Sequence, residues 1–180
     1  MHSTRPEDCW VQTYTGRKFY PLAPRVEDIH IEDIAHALSN LCRYGGHSRS
    51  FYSVAQHSVY VACEAPPQHA LWGLLHDAAE AYVMDLPRPL KKAVAGYADA
   101  EARVMDAVCE RFGMDPAMPE AVHRVDMAVM ADEMATVMHP VHPDVHLPEP
   151  LGIAIQPMPA PAAKDKFMRV YRQITEGRAR

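Results

Sequence analysis

The chain has 180 residues, 48% of them hydrophobic and 23% charged, a size and balance suited to one globular domain whose core holds without disulfide staples. A formal charge of -5 argues against a broad basic surface that would wrap a nucleic acid duplex. Four scattered cysteines with no Cys-x-x-Cys pair point away from a zinc ribbon or a disulfide framework and suit a reducing cytosol. The charged start with Pro6 and the lack of any long uncharged apolar run predict a cytoplasmic protein without signal peptide or membrane contact.

Residues 10–24 carry β-branched and aromatic residues on either side of Thr15-Gly16, which predicts a short hairpin ended by Pro21 and Pro24. From Ile31 the positions Ile34, Ala35, Leu38, Leu41 and Cys42 recur at helical spacing, so a helix is predicted over about 30–43, stopped by Gly45-Gly46. Ser53-Val54-Ala55-Gln56 has the form of a capping box and opens a second helix to about Glu64. Ala70, Leu71, Leu74, Leu75 and Ala78 give a third helix over 68–83, before the breaks at Pro87 and Pro89. Further helices fit about 97–112 and 119–138. Residues 139–163 read as a Pro- and His-rich loop with a second small hairpin near Leu151 to Ile155, and a last helix spans about 161–175. The expected fold is all-α: one domain over 1–180, a bundle of about six helices with a core at about 30–138 and a short N-terminal β-hairpin.

Eleven histidines form a surplus, and imidazole serves both proton transfer and metal ligation. Asp126 lies on a stripe with Val122, Val125, Val129 and Met130, where a buried carboxylate needs a cation or several donors. His76-Asp77 interrupts the apolar third helix, and Glu80 shares the His76 face one turn on. His57 falls among apolar residues of the second helix. Two histidines and two carboxylates on three helices, each costly to bury alone, suit one divalent transition metal ion, and the ligand types admit Mn, Co, Ni, Fe or Zn. The tract His139 to His146 is broken by prolines and gives no second metal site, while Met105, Met127, Met130, Met134 and Met138 read as core filler.

The order His57, His76-Asp77, Asp126 resembles the ligand order of HD-domain metal-dependent phosphohydrolases. The stretches Phe51 to Ser58, Leu74 to Glu80 and Asp85 to Lys91 are similar to successive motifs of the bacterial 5'-deoxynucleotidase branch, and Ile31 to His57 is similar to small phage and prophage HD hydrolases. Arg43-Tyr44 stands where that branch has Arg followed by Trp, and Gln56 replaces an acidic residue before the first ligand. The resemblance implies a phosphohydrolase that cleaves deoxynucleoside 5'-monophosphates, with Glu80 exchanging a proton and Arg43 clamping phosphate. It also implies that Asp85 bonds the sugar 3'-hydroxyl and crowds a 2'-hydroxyl. Tyr44 and His47 then belong to the substrate pocket, with Arg88 and Lys91 adding positive field. Removal of tripolyphosphate from a deoxynucleoside triphosphate is the alternative. Hydrolysis of cyclic nucleotides or alarmones lacks second-metal ligands, and a nucleotide sensor with a structural metal would not need Glu80 and Asp85. The partners expected are a small nucleotide and, by analogy with related proteins, a second copy in a homodimer or higher homo-oligomer.

Overall fold

In the computed structural model, which describes residues 8–178, the hairpin forms as predicted: β1 (Val11–Gln12) pairs antiparallel with β2 (Lys18–Phe19), Val11 opposite Phe19. The rest is helical, as the apolar spacing requires: α1 (Ile31–Asn40), α2 (Val54–Glu64), α3 (Ala70–Leu75), α4 (Glu80–Val83), α5 (Arg88–Ala93), α6 (Tyr97–Phe112), α7 (Glu120–Val137) and α8 (Ala160–Arg178). Among the described residues no helix is long and apolar enough to cross a membrane. The Asp33 carboxylate on α1 accepts from the amide and hydroxyl of Thr15, at 2.7 and 3.0 Å, and fastens the hairpin turn to the bundle.

Helix α2 occupies the middle, packed against α1, α3, α7 and α8. One apolar cluster joins Phe19, Ile34, Leu38, Val59, Leu74, Val104 and Phe167, and a second joins Val61, Trp72, Cys109, Val122 and Val129. Gly73 brings α3 hard against α2, because a Cβ there would lie 2.9 Å from the Ala62 Cα and 3.0 Å from the Val61 carbonyl oxygen.

Several boundaries differ from the sequence expectation, each for a local reason. The first helix stops at Asn40, since Leu41 is extended. Leu41 and Arg43 pair with Val54 and Tyr52 in backbone hydrogen bonds of 3.0 and 2.8 Å that close the loop between α1 and α2 at its base. Gly45-Gly46 therefore sits inside that loop and does not end the helix. The helix expected over 68–83 is interrupted: the amides of Ala78, Glu80, Ala81 and Tyr82 bond carbonyls three residues back, a tightening to 3₁₀ geometry across the residues that look chemical. The helical stretch ends at Val83, before Pro87 and Pro89 as expected, and these prolines then open α5, a helix the sequence did not reveal, where first-turn amides need no partner.

No strand forms near Leu151 to Ile155. That stretch is an extended strap held by buried side chains: the Asp132 carboxylate accepts from the amides of Leu151 and Gly152 at 2.9 and 3.1 Å. Gln56 donates to the Gln156 carbonyl and accepts from the Met158 amide at 2.6 and 3.0 Å. Ser53 caps α2 through the Gln56 amide at 3.1 Å as predicted, but the Gln56 side chain serves the strap and does not complete a capping box.

Candidate metal centre

His57 points from the middle of α2, His76 and Asp77 from the 3₁₀ stretch after α3, and Asp126 from the middle of α7. The α2–α3 contact at Gly73 brings the two imidazoles edge to face, with centroids 5.1 Å apart. Their Nε2 atoms lie 3.1 Å from each other, and Asp126 Oδ1 is 3.1 Å from that of His57 and 3.8 Å from that of His76. Asp77 Oδ2 borders the group at 3.3 and 3.8 Å from His76 and His57. Ligands at about 2.1 Å from a single ion lie about 3.0–3.4 Å from one another; three of the five separations fall in that range, and the two of 3.8 Å, His76 to Asp126 and His57 to Asp77, lie just outside it. His57, His76 and Asp126 can hold a metal ion.

The tautomers agree with that fit. His76 Nδ1 donates to the Gly73 carbonyl at 2.8 Å, and His57 Nδ1 donates to Glu133 Oε1 at 2.8 Å. Both acceptors lack a proton, so each neutral imidazole turns a bare Nε2 lone pair toward the other, an arrangement that calls for a proton or a cation between them. Burial alone would lower the His76 pKa, but Asp77 and Asp126 pull it up to about 9. The same negative field favours a cation. Asp77 is pushed below the usual carboxylate range because the neighbouring imidazoles and Arg43 outweigh its burial.

The cluster lies beside a cavity of about 540 Å³ whose lining includes Arg43, Tyr44, His47, Asp85, Arg88 and Lys91. Every residue expected to touch substrate thus borders the same space. Glu80, 5% exposed, also lines it, and its carboxyl is pushed up to about 9 by burial first and by Asp77 and Asp85, against the pull of Lys91.

No family model matches the chain. It is 40% identical over 124 residues to the uncharacterized protein YfdR of Escherichia coli K12, an overlap of 69% of this chain and 70% of that protein. The chain belongs to the YfdR family. An uncharacterized protein of Rhodobacter capsulatus, RCAP_rcc00048, is 37% identical over 125 residues, 64% of each chain. In this member of the YfdR family the cations around the cavity are unequal. Lys91 is not a free charge: its Nζ lies 2.9 Å from Glu80 and 2.6 Å from Glu101. Arg43 is 3.2 Å from Glu133 Oε2 and 3.6 Å from Asp77 Oδ2. Among the described residues Arg88 reaches only the Met127 sulfur, at 3.7 Å.

Three residues that the sequence did not place at the site belong here. Met130 and Met138, expected as core filler, line the cavity and give it an apolar wall. Glu133 is fully buried, and its carboxylate touches His57, Arg43, Tyr44 and Tyr52. The available signal was its spacing: Glu133 follows Asp126 by two helical turns and shares its face. The adjacent tyrosine is strained to meet it. Tyr44 adopts φ 58°, and Gly45 and Gly46 follow at 59° and 81°, a left-handed run that costs a tyrosine about 1–2 kcal/mol. The Tyr44 hydroxyl, donating to Glu133 Oε2 at 3.1 Å, holds that turn.

Proposed function

We propose that this chain is an HD-type, metal-dependent phosphohydrolase acting on deoxynucleoside 5'-monophosphates. The observation that carries the reading is the convergence of His57, His76 and Asp126, with Asp77 beside them, at a cavity that also exposes an arginine and a buried glutamic acid. A divalent transition metal ion bound there would lower the pKa of a water and polarise a phosphoryl oxygen. The chain's own groups do the rest. Arg43 presents its Nη edge to the phosphate, because a guanidinium fork matches phosphate oxygens. Glu80, protonated at neutral pH by its surroundings, gives its proton to the leaving 5'-oxygen. Asp85, also in the lining, meets the sugar hydroxyl, and Met130 and Met138 shield the base from water.

Charge favours a monophosphate over a triphosphate. The lining carries three cations, Arg43, Arg88 and Lys91, against three ionised carboxylates, Asp77, Asp85 and Asp126, with Glu80 neutral, and Lys91 is already held between Glu80 and Glu101. With one divalent ion added, that balance suits the dianion of a monophosphate far better than the roughly fourfold negative triphosphate. Chromatography of the products tests it: metal-stripped protein resupplied with Mn or Co is given each deoxynucleoside mono- and triphosphate. Nucleoside and orthophosphate from the monophosphates are expected. Tripolyphosphate from a triphosphate, with the monophosphates untouched, would overturn the substrate assignment.

A further inference from the structure

Glu133 is a carboxylate with no exposure, and burying such a charge without compensation costs several kcal/mol. Its compensation is specific. Oε1 accepts from the Tyr52 hydroxyl at 2.7 Å and from His57 Nδ1 at 2.8 Å. Oε2 accepts from the Tyr44 hydroxyl at 3.1 Å and lies 3.2 Å from Arg43 Nε. One oxygen therefore holds the imidazole of the metal cluster by a hydrogen bond, and the other attracts the guanidinium that lines the cavity as an ion pair, without hydrogen-bond geometry at Nε.

These contacts have directional consequences. A proton kept on His57 Nδ1 leaves Nε2 as the atom facing His76 and Asp126. With Arg43 Nε drawn to Glu133, its Nη1 lies 3.6 Å from Asp77 Oδ2, on the cavity side. The second histidine needs no such help, because His76 Nδ1 is fixed by the backbone carbonyl of Gly73. Only His57 depends on a side chain for its orientation, and that side chain also sets Arg43.

We infer that Glu133 is the positioning residue of this site, a single buried carboxylate that fixes His57 for metal binding through Nε2 and aims Arg43 at the phosphate. The inference rests on the metal-dependent reading above and adds a residue to it. A carboxylate behind a ligating histidine orients the ring and raises its basicity, and its loss weakens metal binding by about 10- to 100-fold. An ordinary core carboxylate would leave metal affinity alone.

The test compares the parent with Glu133→Gln and Glu133→Asp. Affinity for Co(II) is measured by chelator competition, and affinity of the Co-loaded forms for inorganic phosphate by titration. Glu133→Gln should bind Co about 10- to 100-fold more weakly and phosphate more weakly at saturating Co, with partial recovery in Glu133→Asp. Should Glu133→Gln fail to fold, the Zn-loaded parent decides by itself: long-range proton–nitrogen NMR should find an exchangeable proton on His57 Nδ1 and the metal on Nε2. A folded Glu133→Gln with parental affinities, or metal on Nδ1 of His57, overturns the inference and leaves the metal centre standing. A parent that takes up no metal at all overturns the metal centre, and the inference with it.

Discussion

On the proposed reading Asp126 and Glu80 have separable duties that substitution can distinguish. Asp126→Ala removes a ligand atom 3.1 Å from His57 Nε2, so metal uptake and turnover should disappear together. Glu80→Gln keeps the ligand cluster and should retain the ion while turnover falls by about 10²- to 10⁴-fold; metal analysis beside a phosphate-release assay reads both. The titration of Glu80 is also opposed to that of Glu133. Glu80 holds its proton up to about 9 in the folded protein, against an ordinary value of 4.5. The folded state therefore binds more protons between those values, and stability falls as pH rises through that window. Metal-free Glu80→Gln should lose less thermal stability than the parent between about pH 5 and pH 9. Burial would raise Glu133, but Arg43 and His57 draw it down to about 2, so its contribution is complete above about pH 4.5 and vanishes as pH falls through about 2. At this scale the sequence was informative wherever a polar residue broke an apolar stripe, as at His57, His76 and Asp126. For Glu133 it offered only the two-turn spacing from Asp126, because Asp132-Glu133 on a helix reads as a solvated face until Arg43 and two tyrosines are known to meet it.

The elements explain why those side chains converge. Gly73 permits the close α2–α3 crossing, and the 3₁₀ tightening after Leu75 sets His76, Asp77 and Glu80 around one space. Gly73→Ala places a methyl against backbone atoms of α2 that cannot swing aside, so a loss of about 1–3 kcal/mol is expected by denaturant titration, with weaker metal uptake as the imidazoles separate. Periodicity located the helices well, since 3.6-residue spacing survives burial. It did not reveal the interruption at 76–79, because a 3₁₀ turn keeps the residues in the helical region and leaves no compositional mark. It missed α5 because Pro87 and Pro89 end a helix from within but open one from its first turn. The strap was unreadable as structure because its order comes from Gln56 and Asp132, residues distant in sequence that satisfy its amides.

Across the molecule the cluster joins three helical segments, α2, the stretch after α3, and α7, that otherwise meet through apolar packing. An ion bound there acts as a cross-link in the folded state alone, worth about 2.7 kcal/mol at a hundredfold excess over Kd. For a chain of this size that should raise the melting temperature by about 5–10 °C, an increase that Asp126→Ala should abolish. All-helical architecture followed directly from the sequence, whereas the assembly of the cavity from the α1–α2 loop, the 3₁₀ stretch, α5 and α7 required the fold. The most direct test of the central claim is a titration of metal-stripped protein with Mn or Co while orthophosphate release from a deoxynucleoside monophosphate is recorded. Activity should be absent at the start and should saturate at one ion bound per chain. Release that persists after stripping, or one bound ion per chain without any release, would contradict a metal-dependent nucleotidase.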